Sequence, residues 1–178
     1  ATPISDIFAL KAVSLIAENL PAAVFDGGGI AARENMALAN TLSGMVESTS
    51  GCISEHALEH ILSGVYKNLP HGAGLIMISN EFYKFFVEKH SCDGQFIKMA
   101  KVMGIPDADK PEDFLKALYD IQKTCGVENL KMSDYGFTPD EFMTLAKGAR
   151  SMQGGLFGAN PCEMTDEDCA SIFEKSYR

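Results

Sequence analysis

The chain has 178 residues, enough for one domain with a real core or two small ones. Apolar residues make up 46%, which excludes general disorder. The formal net charge is −9, from 15 basic and 24 acidic side chains with no basic cluster, so a phosphate backbone or an anionic membrane surface would be repelled and neither nucleic acid nor membrane is an expected partner.

In chain order, Thr2-Pro3 is a helix start, a cap residue followed by proline at the first helical position. Ile7, Leu10, Val13, Leu15 and Ile16 then recur at helical spacing to about Asn19. Pro21 and Asp26-Gly27-Gly28-Gly29 are expected to break the chain. The glycine triplet has no lysine, follows no strand and lacks the phosphate-loop pattern, so it reads as a connection. A second helix is expected over residues 31–47, with Met36, Ala39, Leu42 and Gly44 on one side. Ser54 is expected to cap a third, with Glu55 in its first turn. Residues 72–90 form a strongly apolar segment (Leu75, Ile76, Ile78, Phe82, Phe85, Phe86), which predicts a buried central helix. Further helices are predicted over residues 95–103, 111–124, 138–152 and 166–176. Thr138-Pro139-Asp140-Glu141 and Thr165-Asp166-Glu167-Asp168 have the capping-box pattern. No useful period-two stretch occurs, so the expected fold is all-α, a compact bundle of about seven or eight helices.

The longest uninterrupted apolar run, about residues 73–78, is far short of the roughly 20 residues of a membrane span. No secretory leader is visible at Ala1. The five cysteines (Cys52, Cys92, Cys125, Cys162, Cys169) are widely spaced without a CxxC pair, which fits reduced packing thiols and a cytoplasmic setting.

The chemistry concentrates in Ser54 to Gly74, SEHALEHILSGVYKNLPHGAG, which holds three of the four histidines. His56 and His60 are four apart on one helical face. His71 follows in Leu69-Pro70-His71-Gly72, a turn that feeds the next helix. Two consecutive helices can thus aim imidazoles at one point, as a metal site built on neutral nitrogen ligands requires. Burying two imidazoles together is costly without a shared purpose. Glu59 is expected to turn away from the His56/His60 face and to be solvated or to support the site from behind, so no local carboxylate ligand is evident. His90, beside Lys89 at a helix C-terminus, reads as structural. HExxH is absent, which removes a zincin-type protease.

This segment resembles the signature of the iron-containing (group III) alcohol dehydrogenases of the dehydroquinate synthase-like group. Pro3-Ile4-Ser5-Asp6 with Ala9-Leu10-Lys11-Ala12, the run Ala32-Arg33-Glu34-Asn35-Met36-Ala37-Leu38-Ala39, and Asn160-Pro161 with Thr165-Asp166-Glu167-Asp168 extend the likeness over nearly the whole chain. The resemblance implies that residues 1–178 are a single all-helical metal-binding domain, the C-terminal part of a longer enzyme whose N-terminal nucleotide-binding domain is absent from this chain. It implies a divalent metal, iron or else zinc, held by one aspartate and three histidines in the cleft between the two domains. His56 and His71 match metal ligands, and His60 matches a histidine near nicotinamide and substrate, with a proton-relay role. The His56–His71 spacing is one residue longer than expected for the family, a variant turn around Lys67-Asn68-Leu69. The implied activity is NAD- or NADP-dependent interconversion of alcohols and aldehydes or ketones, the cofactor being bound mainly by the absent domain. The chain alone is then expected to be inactive and to bind metal weakly. An exposed interdomain face could also drive homo-oligomers. Two alternatives stand beside this: a non-catalytic helical bundle, and a self-contained helical metalloprotein using His56, His60, His71 and an acid from elsewhere.

Overall fold

The computed structural model describes all residues, 1–178. It contains eight α-helices: α1 (Pro3–Phe25), α2 (Ile30–Ser50), α3 (Ser54–Val65), α4 (His71–Glu88), α5 (Asp93–Val102), α6 (Glu112–Thr124), α7 (Phe142–Phe157) and α8 (Asp166–Ser176). Two short 3-10 turns, Met132–Tyr135 and Pro139–Glu141, precede α7, and there is no strand. The all-α expectation holds. The chain divides into two compact units, Ala1–Gly51 with Cys92–Gly126, and Cys52–Ser91 with Val127–Arg178.

In the first unit α1 and α2 pack along their length as a helical hairpin. Thr2 caps α1 as expected, its Oγ1 accepting from the Ser5 N–H while Ser5 Oγ accepts from the Thr2 N–H. The expected break at Pro21 does not occur, because α1 runs through it to Phe25. Pairing with α2, including the Asn35 amide donating to Asn19 Oδ1 at 2.9 Å, stabilises the helix across the one lost backbone bond. The glycine triplet is the hairpin turn, closed by Gly28 N–H donating to Asp26 Oδ1 and Gly29 N–H to the Asp26 carbonyl. Ala12, Leu15 and Ala39 are buried in the hairpin's interior. Phe96 of α5 stacks on Phe114 of α6 with ring centroids 5.1 Å apart. By length and composition α1 is long and apolar enough to cross a membrane, with a mean hydropathy of 1.5 over its best window. Polar residues such as Lys11, Ser14, Glu18 and Asn19 interrupt its apolar sequence, so no long unbroken apolar run marks it.

In the second unit α3 packs on α4 and α7, and α8 packs on α4 and α7, a closed ring of four helices. Phe82, Phe86, Phe137, Phe142 and Phe173 fill it, with Leu58, Leu62, Ile78 and Met132. The apolar segment after His71 is thus a buried helix, as its pattern requires. Ser54 is the first residue of α3 rather than its cap; its N–H donates instead to Asn160 Oδ1 at 3.1 Å, a cap supplied from far along the sequence. Thr165 forms the predicted capping box with Asp168. Thr138 precedes a 3-10 turn rather than an α-helix and makes no side-chain bond to its backbone; its hydroxyl donates to Glu141 Oε2 at 3.0 Å, and the Tyr66 hydroxyl also donates to that carboxylate, at 2.7 Å to Oε1. No cysteine is in a disulfide, and burial pushes the Cys169 thiol up to about 12.

Candidate metal centre

Three of the four histidines meet on the second unit. The ring centroids of His56 and His60 lie 5.9 Å apart, and His71 is 5.4 Å from each. The helices explain why. In α3, Glu55, Leu58, Glu59 and Leu62 face the interior at helical spacing, which leaves His56 and His60 on the half-buried flank. The chain then leaves α3 at Tyr66, is anchored by the buried Leu69, and re-enters helix at Pro70, the cap of α4. His71 is therefore the first helical residue of α4, facing back toward α3, with its side chain 49% exposed. His90 instead follows the C-terminus of α4 in a left-handed conformation, φ 51°, which histidine adopts more readily than bulkier residues.

Each of two imidazoles is held through one nitrogen. His60 Nδ1 donates to Gln153 Oε1 at 2.8 Å. Gln153 is where α7 departs from helical geometry (φ −139°, ψ 42°), one residue past the predicted helix end at 152 and just before Gly154-Gly155, a pair that weakens a helix. His71 Nδ1 lies against Glu59 Oε2. With both Nδ1 positions engaged, Nε2 is the nitrogen that keeps a free lone pair in each ring.

Glu59 departs from the expectation of a solvated side chain. It is fully buried, because α4 crosses directly over it. Gly74 makes the space: a Cβ there would sit 2.7 Å from both Cγ and Oε1 of Glu59. Glu59 Oε1 has no hydrogen-bond partner. Donor atoms of Glu59, His60 and His71 lie within 4.8 Å of one another, so a carboxylate joins the imidazoles after all. Neutral imidazole nitrogens beside a carboxylate suit iron or zinc, and a buried carboxylate oxygen left without a partner suits a site that a cation completes. The residues present fit a divalent metal.

A second buried acid lies one residue before His56. The Tyr83 hydroxyl donates to Glu55 Oε2 at 2.7 Å. Burial pushes the Glu55 carboxyl up to about 7, against a smaller lowering by that hydrogen bond. Burial, with the Glu55 charge adding to it, raises Tyr83 well above the ordinary phenol range.

The model of the Fe-containing alcohol dehydrogenase family, C-terminal part, matches residues 1–177. Alcohol dehydrogenase 4 of Saccharomyces cerevisiae is 32% identical over 178 residues, covering 99% of this chain and 45% of that protein. The 1,3-propanediol dehydrogenase of Klebsiella pneumoniae is 28% identical over 182 residues, covering 99% of this chain and 46% of the relative. The crystal structure of a halo-thermophilic archaeal alcohol dehydrogenase from a Red Sea brine pool superposes with a TM-score of 0.92 at 28% identity, covering 99% of this chain and 45% of that one. The chain thus spans a little under half the length of these relatives. It belongs to the iron-containing alcohol dehydrogenase family, as the all-helical C-terminal part.

Proposed function

We propose that residues 1–178 serve as one metal-binding domain of an NAD- or NADP-dependent alcohol dehydrogenase, cytoplasmic, acting on a small alcohol, aldehyde or ketone. The observation that carries this reading is the convergence of His56, His60 and His71, with ring centroids 5.4–5.9 Å apart, in a member of this family. His56 and His71 are the metal ligands within these residues. A divalent metal there, iron or zinc, supplies Lewis acidity toward the alcohol oxygen. His60, fixed through Nδ1 by Gln153, offers Nε2 to accept and pass on the hydroxyl proton. The remaining ligands and the nucleotide site belong to the part of the relatives' length that this chain does not span. These residues alone therefore bind metal weakly and do not turn over substrate.

The mutual closeness of Glu59, His60 and His71 favours a second reading, a site complete within these residues and built on those donors. Metal analysis after dialysis separates the two. Under the first reading little iron or zinc is retained, His56→Ala removes what residual binding there is, and His60→Ala leaves it. Near-stoichiometric metal that survives dialysis, is lost in His60→Ala and persists in His56→Ala, would establish the second. Added iron or zinc that binds neither protein nor variants would leave a non-catalytic bundle.

A further inference from the structure

We propose that Glu59 is a positioning residue for the metal centre: buried in a slot opened by Gly74, it fixes the tautomer and direction of His71 so that Nε2 is the ligating nitrogen. The inference rests on the reading of His71 as a metal ligand. Four observations support it. Glu59 is 0% exposed while its partner His71 is 49% exposed, so the carboxylate lies behind the imidazole and the ring faces solvent. His71 Nδ1 is the ring nitrogen that faces Glu59 Oε2, so the contact is made by an Nδ1–H donating to the carboxylate, which leaves Nε2 directed away from Glu59. Gly74 is buried, and any side chain there would occupy the place of the Glu59 carboxylate. Glu59 also lies under the first turn of α4, where the helix N-terminus favours negative charge.

Carboxylates that receive the second ring hydrogen of a ligating histidine orient the ring and raise its basicity, and their loss typically weakens metal binding by about 10–100-fold. A free neutral imidazole prefers its hydrogen on Nε2. The contact with Glu59 reverses that preference, so the imidazole is already in its ligating form before a cation arrives.

The test uses the 178-residue chain, with Co(II) and Zn(II) as probes, and reads the His71 tautomer from ring nitrogen shifts, assigned with His71→Ala. Glu59→Gln retains an acceptor oxygen; Glu59→Leu fills the slot without one; Gly74→Ala displaces the carboxylate while leaving every titratable group in place. The expected result is an Nδ1–H tautomer at His71 in the native chain and in Glu59→Gln, and loss of that tautomer in Glu59→Leu and Gly74→Ala. Co(II) affinity should fall about 10–100-fold in the latter two, with the Glu59→Gln complex keeping the native Co(II) absorption spectrum. An Nε2–H tautomer in the native chain, or an unchanged tautomer in Glu59→Leu, would overturn the inference. If Glu59→Gln loses Co(II) as completely as Glu59→Leu and its spectrum changes, the carboxylate is itself a ligand and the positioning role is wrong. Binding lost in His71→Ala but unaltered in Glu59→Leu would sink the inference and leave the proposed function standing. A native tautomer that depends on Glu59, in a chain that takes up neither metal, would overturn the metal part of both.

Discussion

The two units of this chain solve the burial problem differently. The second unit, which carries the histidines, encloses five fully buried phenylalanines and beside them the carboxylates of Glu55 and Glu59. The first unit closes on alanine and leucine along the α1–α2 hairpin, with one aromatic stack, and leaves Ile4, Ile7, Phe25 and Ile30 in solvent. Buried ionisable groups are tolerated where a well-packed surround fixes them and some other gain offsets their desolvation. Such groups in the aromatic unit, and apolar side chains left outside the other, are what a division into a chemical unit and a surface-presenting unit would produce.

The largest effect that would test this division is in the aromatic core. Phe82→Ala should destabilise the second unit by about 3–5 kcal/mol, since the side chain is fully buried and the cavity cannot refill. Urea unfolding followed by a probe in each unit checks it. A loss below about 1 kcal/mol, typical of an ordinary substitution, would mean that the aromatic core is not what holds this unit together.

Next comes Glu55. Its carboxyl is raised in the folded state to about 7 from the ordinary 4.5, so the folded state holds a proton that the unfolded chain gives up earlier. The stability linked to that proton is complete below pH 4.5 and is lost as pH rises through 7, by up to about 3 kcal/mol. Glu55→Gln keeps a polar partner for the Tyr83 hydroxyl and cannot ionise. It should match the native chain near pH 4.5 and exceed it in urea midpoint at pH 8. Parallel pH profiles would show that the carboxyl is not held neutral by burial.

How much of this could be read from the sequence depends on whether the cause is local. His56, His60 and His71 could be found because four-residue spacing and a Pro-His-Gly turn fix direction over a few residues. The helix after His71 and the box at Thr165 were legible for the same reason. What was missed has distant causes. Glu59 was expected to leave the site without a carboxylate, yet it reaches His71; its burial there depends on α4 and on the absence of a side chain at Gly74. Thr138 matched a capping box, but its hydroxyl bonds the Glu141 carboxylate rather than the backbone, and that carboxylate also accepts from Tyr66, a residue of the α3 terminus. Helix α1 passes Pro21 because α2 supports it. The break beside Gln153 was legible in the predicted helix end at 152 before Gly154-Gly155, but the contact of Gln153 with His60 was not, because it joins residues 93 apart.

The smallest effect tests the surface of the first unit. Phe25 is 73% exposed and Ile7 is 66% exposed, so neither side chain leaves water on folding of a monomer. Phe25→Ser and Ile7→Ser should then change stability by no more than about 0.5 kcal/mol, while lowering any tendency to self-associate. The measurement is urea unfolding at two protein concentrations, with sedimentation of the native chain alongside. A monomer gives a midpoint independent of concentration and variants that unfold like the parent. If the midpoint rises with concentration and the serine variants remove that rise, these side chains are buried between copies of the chain. The hairpin would then derive part of its stability from assembly, and the contrast between the units would be one between a core closed within one chain and a core closed by a second copy.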